Sequence, residues 1–191
     1  MGTPEINLDA VRRDRMTRGV VARWRALTGG QPADDHDRRT LVACSGGADS
    51  VALVLMLAAG GGVGSEIVVG HVLHDLRSAD ETAADRDLVA GLAARLGLRF
   101  VEAPVTVRDQ PGNAEGNARE ARYHQLERLA WETGCPFVAT AHHANDQVET
   151  MLMAMLRGAG VGGMAGMEPR RGLGERGIAL VRPMLEIGGA E

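Results

Sequence analysis

One stretch constrains the fold more than any other: Arg39 to Leu57, which reads RTLVACSGGADSVALVLML. The apolar residues Leu41-Val42-Ala43-Cys44 run straight into Ser45-Gly46-Gly47-Ala48-Asp49-Ser50, and an apolar helical run, Val51 to Ala58, follows. This order reads as a buried strand, a glycine turn and a helix start. Gly46 and Gly47 can adopt backbone angles closed to other residues and let a ligand approach the main chain. Freed N–H groups and the positive end of the helix dipole then face one space, with the Ser45 and Ser50 hydroxyls beside them. Asp49 is the odd member, because a carboxylate beside bound phosphates repels them unless a cation such as Mg²⁺ lies between. A nucleotide phosphate with a divalent metal is the economical reading. Ser-Gly-Gly alone also makes ordinary strand-to-helix turns, and Asp or Ser near a helix start is common capping. The Walker pattern GxxxxGK[ST] is absent, and the chain has no lysine to supply its phosphate-binding ammonium.

A chain of 191 residues is long enough to bury one proper core without disulfides. Aromatic residues make up only 3%, so that core must be mostly aliphatic. All 21 basic residues are arginine, and the formal charge of −4 gives no global attraction to nucleic acid. Any such binding needs a local patch, for which Arg157, Arg170, Arg171, Arg176 and Arg182 are the candidates. Cys44 and Cys135 lack CxxC spacing and read as buried thiols. The sequence shows no run of 18 apolar residues and no signal peptide, so a soluble cytoplasmic protein is expected.

Residues 1–38 read as an N-terminal helical extension and linker, with one amphipathic helix over Val11 to Leu27 stopped at Gly29-Gly30. Residues 39–191 read as the main domain. Beyond the central stretch, strands are expected at Glu66 to Val72, Leu98 to Val101, Phe137 to Ala141 and Ile178 to Val181. Helices are expected at Ala79 to Leu96, Asn117 to Trp131 and Asp146 to Leu156. Val105 to Gly116 is a candidate mobile loop over the site, and glycine-rich Gly158 to Gly166 leads into a polar turn. Strands alternating with helices predict an α/β fold, a doubly wound parallel sheet of about five strands with helices on both faces. Ligands in such sheets bind at the carboxyl ends of the strands, near a topological switch point.

Three further stretches fall at strand exits or open a helix. His71-Val72-Leu73-His74-Asp75-Leu76-Arg77 leaves the second strand; two histidines three apart could ligate a metal, but no Cys or Glu partner completes a site. In Asn117 to Tyr123, Arg119 and Arg122 share a helical face, with bidentate arginine contact to phosphate or carboxylate as the functional reading. In Ala139 to Thr150, Asp146 and Glu149 are three apart, so both carboxylates can point from one face into the strand-end crevice. There they suit a metal or a cationic substrate such as an amine; helix capping accounts for Asp146 alone.

The Ser45–Ser50 turn resembles the PP-loop of the N-type ATP pyrophosphatases, which implies pyrophosphate seated on Ser45, Gly46, Gly47 and Ser50, with Asp49 serving the metal. Taken together with His71 to Arg77, Gly116 to Tyr123, His142 to Thr150, Leu156 to Met167 and Arg182 to Leu185, it is similar to the tRNA(Ile)-lysidine synthase family. The resemblance runs from Arg39 to about Leu185 and implies an adenine nucleotide alpha hydrolase-like fold. It implies ATP and Mg²⁺ as cofactors, and free lysine and a tRNA(Ile) with a CAU anticodon as partners, with a homodimer as one allowed assembly. The implied reaction adenylates C2 of the wobble cytidine with release of pyrophosphate, and lysine then displaces AMP. Carried over, Asp49, Asp146, Glu149 and Arg122 form the catalytic set, with Asp49 and Asp146 as metal ligands. Ser45, Gly46, Gly47, Asp49, Ser50, His71, Arg77 and Arg119 form the nucleotide-binding set. Leu73 and Asn145 depart from the family pattern, which has a polar residue and an acid there, and family members continue past Glu191 into tRNA-gripping parts. Another PP-loop pyrophosphatase with a different nucleophile, or a noncatalytic nucleotide-binding relative, are the alternative readings.

Overall fold

A computed structural model describes residues 6–30, 38–60, 66–74, 79–105, 114–156, 158 and 166–187. Its centre is a six-stranded sheet in the order β3-β2-β1-β4-β6-β5. The strands are β1 (Thr40–Ala43), β2 (Ile67–His74), β3 (Arg99–Val105), β4 (Phe137–Ala139), β5 (Arg170–Leu173) and β6 (Ile178–Val181). All neighbours pair in parallel except β5, which runs antiparallel to β6 at the edge. The helices are α1 (Leu8–Arg13), α2 (Arg15–Thr28), α3 (Ala48–Ala59), α4 (Ala79–Leu96), α5 (Ala114–Thr133) and α6 (Ala144–Leu156). The expected α/β architecture with both sheet faces covered is thus present.

Strand alternation divides the core into two layers. On one face Val42, Ile67 and Val69 pack with Val20, Val21 and Trp24 of α2, Leu53, Val54 and Leu57 of α3, and Val89 and Leu92 of α4. On the other, Leu41, Val68, Val138 and Leu180 pack with Tyr123, Leu126, Leu129 and Ala130 of α5. Strand order reverses at β1: β2 and β3 lie on one side, β4 and β6 on the other. The crevice that this reversal opens is where a ligand enters a doubly wound sheet.

Two local expectations are corrected. The single helix over Val11 to Leu27 is two, broken at Asp14, whose extended backbone caps α2 and whose carboxylate accepts from the Thr17 N–H at 2.8 Å. A short acidic side chain satisfies an orphan donor there better than it tolerates a helix interior. The polar turn after the glycine-rich stretch contains β5, which makes the sheet six strands rather than about five. Of β5 only Leu173 is buried, so no hydrophobic alternation marks it; its arginines are typical of a charged edge strand. No helix among the described residues is long and apolar enough to cross a membrane.

Candidate active site

β1 delivers the chain to Ser45 at the sheet's carboxyl edge, and the turn is built from within. The Ser50 hydroxyl accepts from the Ser45 N–H at 3.2 Å and donates to the Gly47 carbonyl at 2.8 Å, while the Ser45 hydroxyl accepts from the Gly47 N–H at 3.4 Å. Gly46 holds φ +93°, a conformation that side-chain-bearing residues rarely adopt. Gly47 caps α3 without any side-chain acceptor, so the first N–H groups of the helix face the cleft with the dipole's positive end behind them.

The turn forms one wall of a cleft of about 230 Å³ at the strand reversal. Ser45, Gly47, Asp49 and Ser50 line that wall, Arg122 of α5 lines another, and Thr140, His142 and Asp146, after β4, line the third. Asp146 was expected here and is here. Its carboxylate reaches back to accept from the His143 N–H at 2.7 Å, while the His143 Nδ1 accepts from the Asn145 N–H at 3.2 Å. The pair resembles a capping box with histidine in the usual serine's place, its ring taking the second rather than the third N–H of the helix. Because Nδ1 is an acceptor, the proton of the neutral ring is assigned to Nε2, which lies 3.6 Å from the Asp49 carboxylate. One imidazole therefore caps the start of α6 and stands near the loop carboxylate.

The remaining expected residues are placed as follows. Glu149 is exposed and does not line the cleft: it shares a helical face with Asp146 but stands about 4.5 Å further along the helix from the strand end. Arg119 faces a groove on the far side of Tyr123 rather than the cleft. His71 is buried, and its Nδ1–H donates to the Cys44 carbonyl at 2.7 Å, bracing the end of β1 from behind the loop. Gly46 is in the turn without lining the cleft. Arg77 lies outside the described residues, as does most of the candidate mobile loop.

Two histidines complete the site. His142 hydrogen-bonds the Thr140 hydroxyl at 2.9 Å. Burial, then the fields of Arg182 and Arg119, hold its pKa down at about 4, against a weaker upward pull from Asp146. It is thus a neutral imidazole in the cleft. His142 and His143 were visible as a pair beside Asp146, but only a hydrogen-bond map separates the cleft wall from the cap.

A glycine turn between a parallel strand and a helix, with an oxyanion cradle and a carboxylate at its tip, defines a nucleotide-phosphate domain of the PP-loop kind. The chain belongs to the PP-loop domain family, whose model matches residues 22–191. It is 43% identical over 175 residues to tRNA(Ile)-lysidine synthase of Bordetella bronchiseptica, covering 90% of this chain and 47% of the relative. It is 44% identical over 169 residues to the enzyme of the same name from Ruegeria pomeroyi, covering 88% and 38%. The chain therefore spans about half, or less, of the length of these curated relatives. Among solved structures, the fold is similar to that of the U34-tRNA thiolase NcsA from Methanococcus maripaludis, with TM-score 0.65, 15% identity, and 98% of this chain and 67% of that one covered. It is also similar to that of a glutamine-dependent NAD⁺ synthetase from Acinetobacter baumannii, with TM-score 0.50, 17% identity, and 87% and 30% covered.

Proposed function

We propose that this chain carries the catalytic domain of an ATP-dependent tRNA-modifying ligase that attaches lysine to the wobble cytidine of a tRNA(Ile) with a CAU anticodon. One observation carries the reading: the phosphate-cradling turn and Asp146 line the same cleft, so a triphosphate and an amine can meet there. The relatives' shared name supports the choice of substrates. In this reading residues 39–191 form the ligase domain, and 1–38 a helical extension.

In the first step the C2 oxygen of cytidine attacks the α-phosphorus of ATP, an O–P bond forms, and pyrophosphate leaves with its electron pair. Ser45, Gly46, Gly47 and Ser50 hold the departing phosphates together with the first N–H groups of α3, the hydrogen bonds that the two serines make within the turn being exchanged for bonds to phosphate oxygens. Mg²⁺ is ordinarily bound by one or two carboxylates together with substrate phosphates, and Asp49 and Asp146 supply that number. When bound, the ion neutralises the polyphosphate. In the second step the lysine amine attacks C2, the C–N bond forms, and the C2–O bond breaks to release AMP, the surplus amine proton passing to solvent. Asp146 receives the lysine ammonium before it is deprotonated, and exposed Glu149, further along α6, is the second carboxylate of that set. Arg122 holds the lysine carboxylate or a nucleotide phosphate, whereas Arg119, expected in the nucleotide-binding set, faces the adjoining groove. His71 supports the nucleotide wall from behind, and Arg77 belongs to the same nucleotide-binding group.

The test is pyrophosphate and AMP release from ATP, with tRNA(Ile) and lysine added singly and together. Pyrophosphate should require the tRNA, and AMP release should require lysine as well. Asp49→Ala should lower pyrophosphate release about a hundredfold or more. ATP binding without pyrophosphate in any combination would sink the ligase reading, and lysine-independent turnover would point to a different nucleophile.

A further inference from the structure

Tyr123 of α5, whose ring meets Arg122 of the cleft wall, lines a second groove of about 420 Å³, walled by α5 on one side and by the β5–β6 hairpin on the other. Its ring is ringed by guanidinium groups. The Arg171, Arg119 and Arg122 carbons stand 5.1, 5.3 and 5.5 Å from its centroid, and Arg119 also donates to its hydroxyl at 3.3 Å. Arg182 completes the set from the buried side. It is 2% exposed, donates to the Glu168 carbonyl, and its Nε has no hydrogen-bond partner.

Four arginines thus converge on one ring, and none of them is ion-paired with a carboxylate among the described residues. The two acids that line the groove do not answer them. Glu127 is occupied in the hairpin turn, accepting from the Glu175 and Arg176 N–H groups at 3.0 Å each, and Glu120 is an exposed rim residue. Burial would raise the Tyr123 hydroxyl's pKa, yet the field of Arg119, Arg182 and Arg122 outweighs it and the net shift is downward. Like charges held this close repel one another unless an anion lies among them. In a chain of formal charge −4, so local a positive excess is the exception.

We infer that this groove is an anion site, and that its ligand is a backbone phosphodiester of the RNA substrate flanking the nucleotide in the cleft. Guanidinium forks match phosphate oxygens bidentately. Arg171 and Arg119 are exposed and reach the groove from two different elements, as suits a strand laid across its mouth. Tyr123 and the adjacent Arg122 place the groove directly beside the cleft. The inference rests on the proposed tRNA reading for the identity of the polyanion, while the phosphate chemistry belongs equally to a nucleotide. The test separates these two sources.

Binding of a fluorescent RNA stem–loop is followed by anisotropy over a salt series, and binding of ATP is followed separately. Arg171→Ala should weaken RNA binding about tenfold and reduce the slope of log Kd against log salt by about one, with ATP affinity unchanged. Arg171 is exposed, so the variant should fold, and an unaltered thermal midpoint checks this. Unchanged RNA affinity and slope would overturn the site. An equal loss of ATP affinity would overturn it too, by assigning the arginines to the nucleotide. Because binding is read without turnover, a protein that binds RNA through Arg171 but releases no pyrophosphate refutes the ligase reading alone.

Discussion

At Gly46 the backbone adopts φ +93°, and a Cβ there would lie 3.2 Å from the Asp85 carboxylate. Gly46→Ala therefore meets backbone strain of about 1–2 kcal/mol and crowds a neighbour as well. The expected outcome is a lower urea midpoint together with weaker ATP binding, since the turn relaxes by moving its N–H groups. His142 makes a prediction about pH. Its folded pKa of about 4 lies below the 6.5 of an unperturbed histidine, so between these values the unfolded chain binds the extra proton. This contribution to stability is complete above pH 6.5 and is lost as pH falls towards 4. Between pH 7 and pH 5 it amounts to about 2 kcal/mol. The urea midpoint should drop over that interval, and His142→Gln should flatten the drop.

Among the elements, α3 and α6 present opposite cases. Leu53, Val54 and Leu57 of α3 are fully buried between the sheet and α2, whereas α6 has no buried residue and exposes Val148, Leu152, Met153, Met155 and Leu156. Leu53→Ala should cost about 2–5 kcal/mol and Leu156→Ala less than about 0.5, measured as shifts in denaturant midpoint. Buried strands and core helices were legible because their apolar runs answer to packing on both sides; β1 and α3 are the clearest cases. Two elements were not. The break at Asp14 depends on a cap that competes with continuous helical periodicity, and β5 on pairing with β6, which local sequence does not encode. For α6 the spacing of Asp146 and Glu149 suggested a shared face, but the cap turns Asp146 back towards the strand end and leaves Glu149 in solvent.

For the molecule as a whole, the strand order gathers residues more than a hundred positions apart around one crevice, and the motif order in the sequence anticipates that gathering. Ser45 to Ser50, Arg122 and Asp146 were legible because each follows or faces a strand exit. Arg119, Arg122, Arg171 and Arg182 were each legible as candidate anion contacts, but their meeting around Tyr123 was not, since it requires the hairpin that carries Arg171 to fold back beside α5. Nor was the role of His143, whose ring lies 3.6 Å from Asp49 and 3.6 Å from Asp146. That imidazole acts as a yoke. Under the proposed reaction, altering the Asp49 carboxylate and altering the Asp146 carboxylate disturb the surroundings of the same ring. The two defects should therefore not compound. In a thermodynamic cycle of Asp49→Asn and Asp146→Asn, the doubly altered protein should lose distinctly less transition-state stabilisation than the two single losses added together, by about 0.5–3 kcal/mol. With His143→Ala as background, the coupling should shrink by the share that the imidazole carries, leaving the share carried by a shared Mg²⁺.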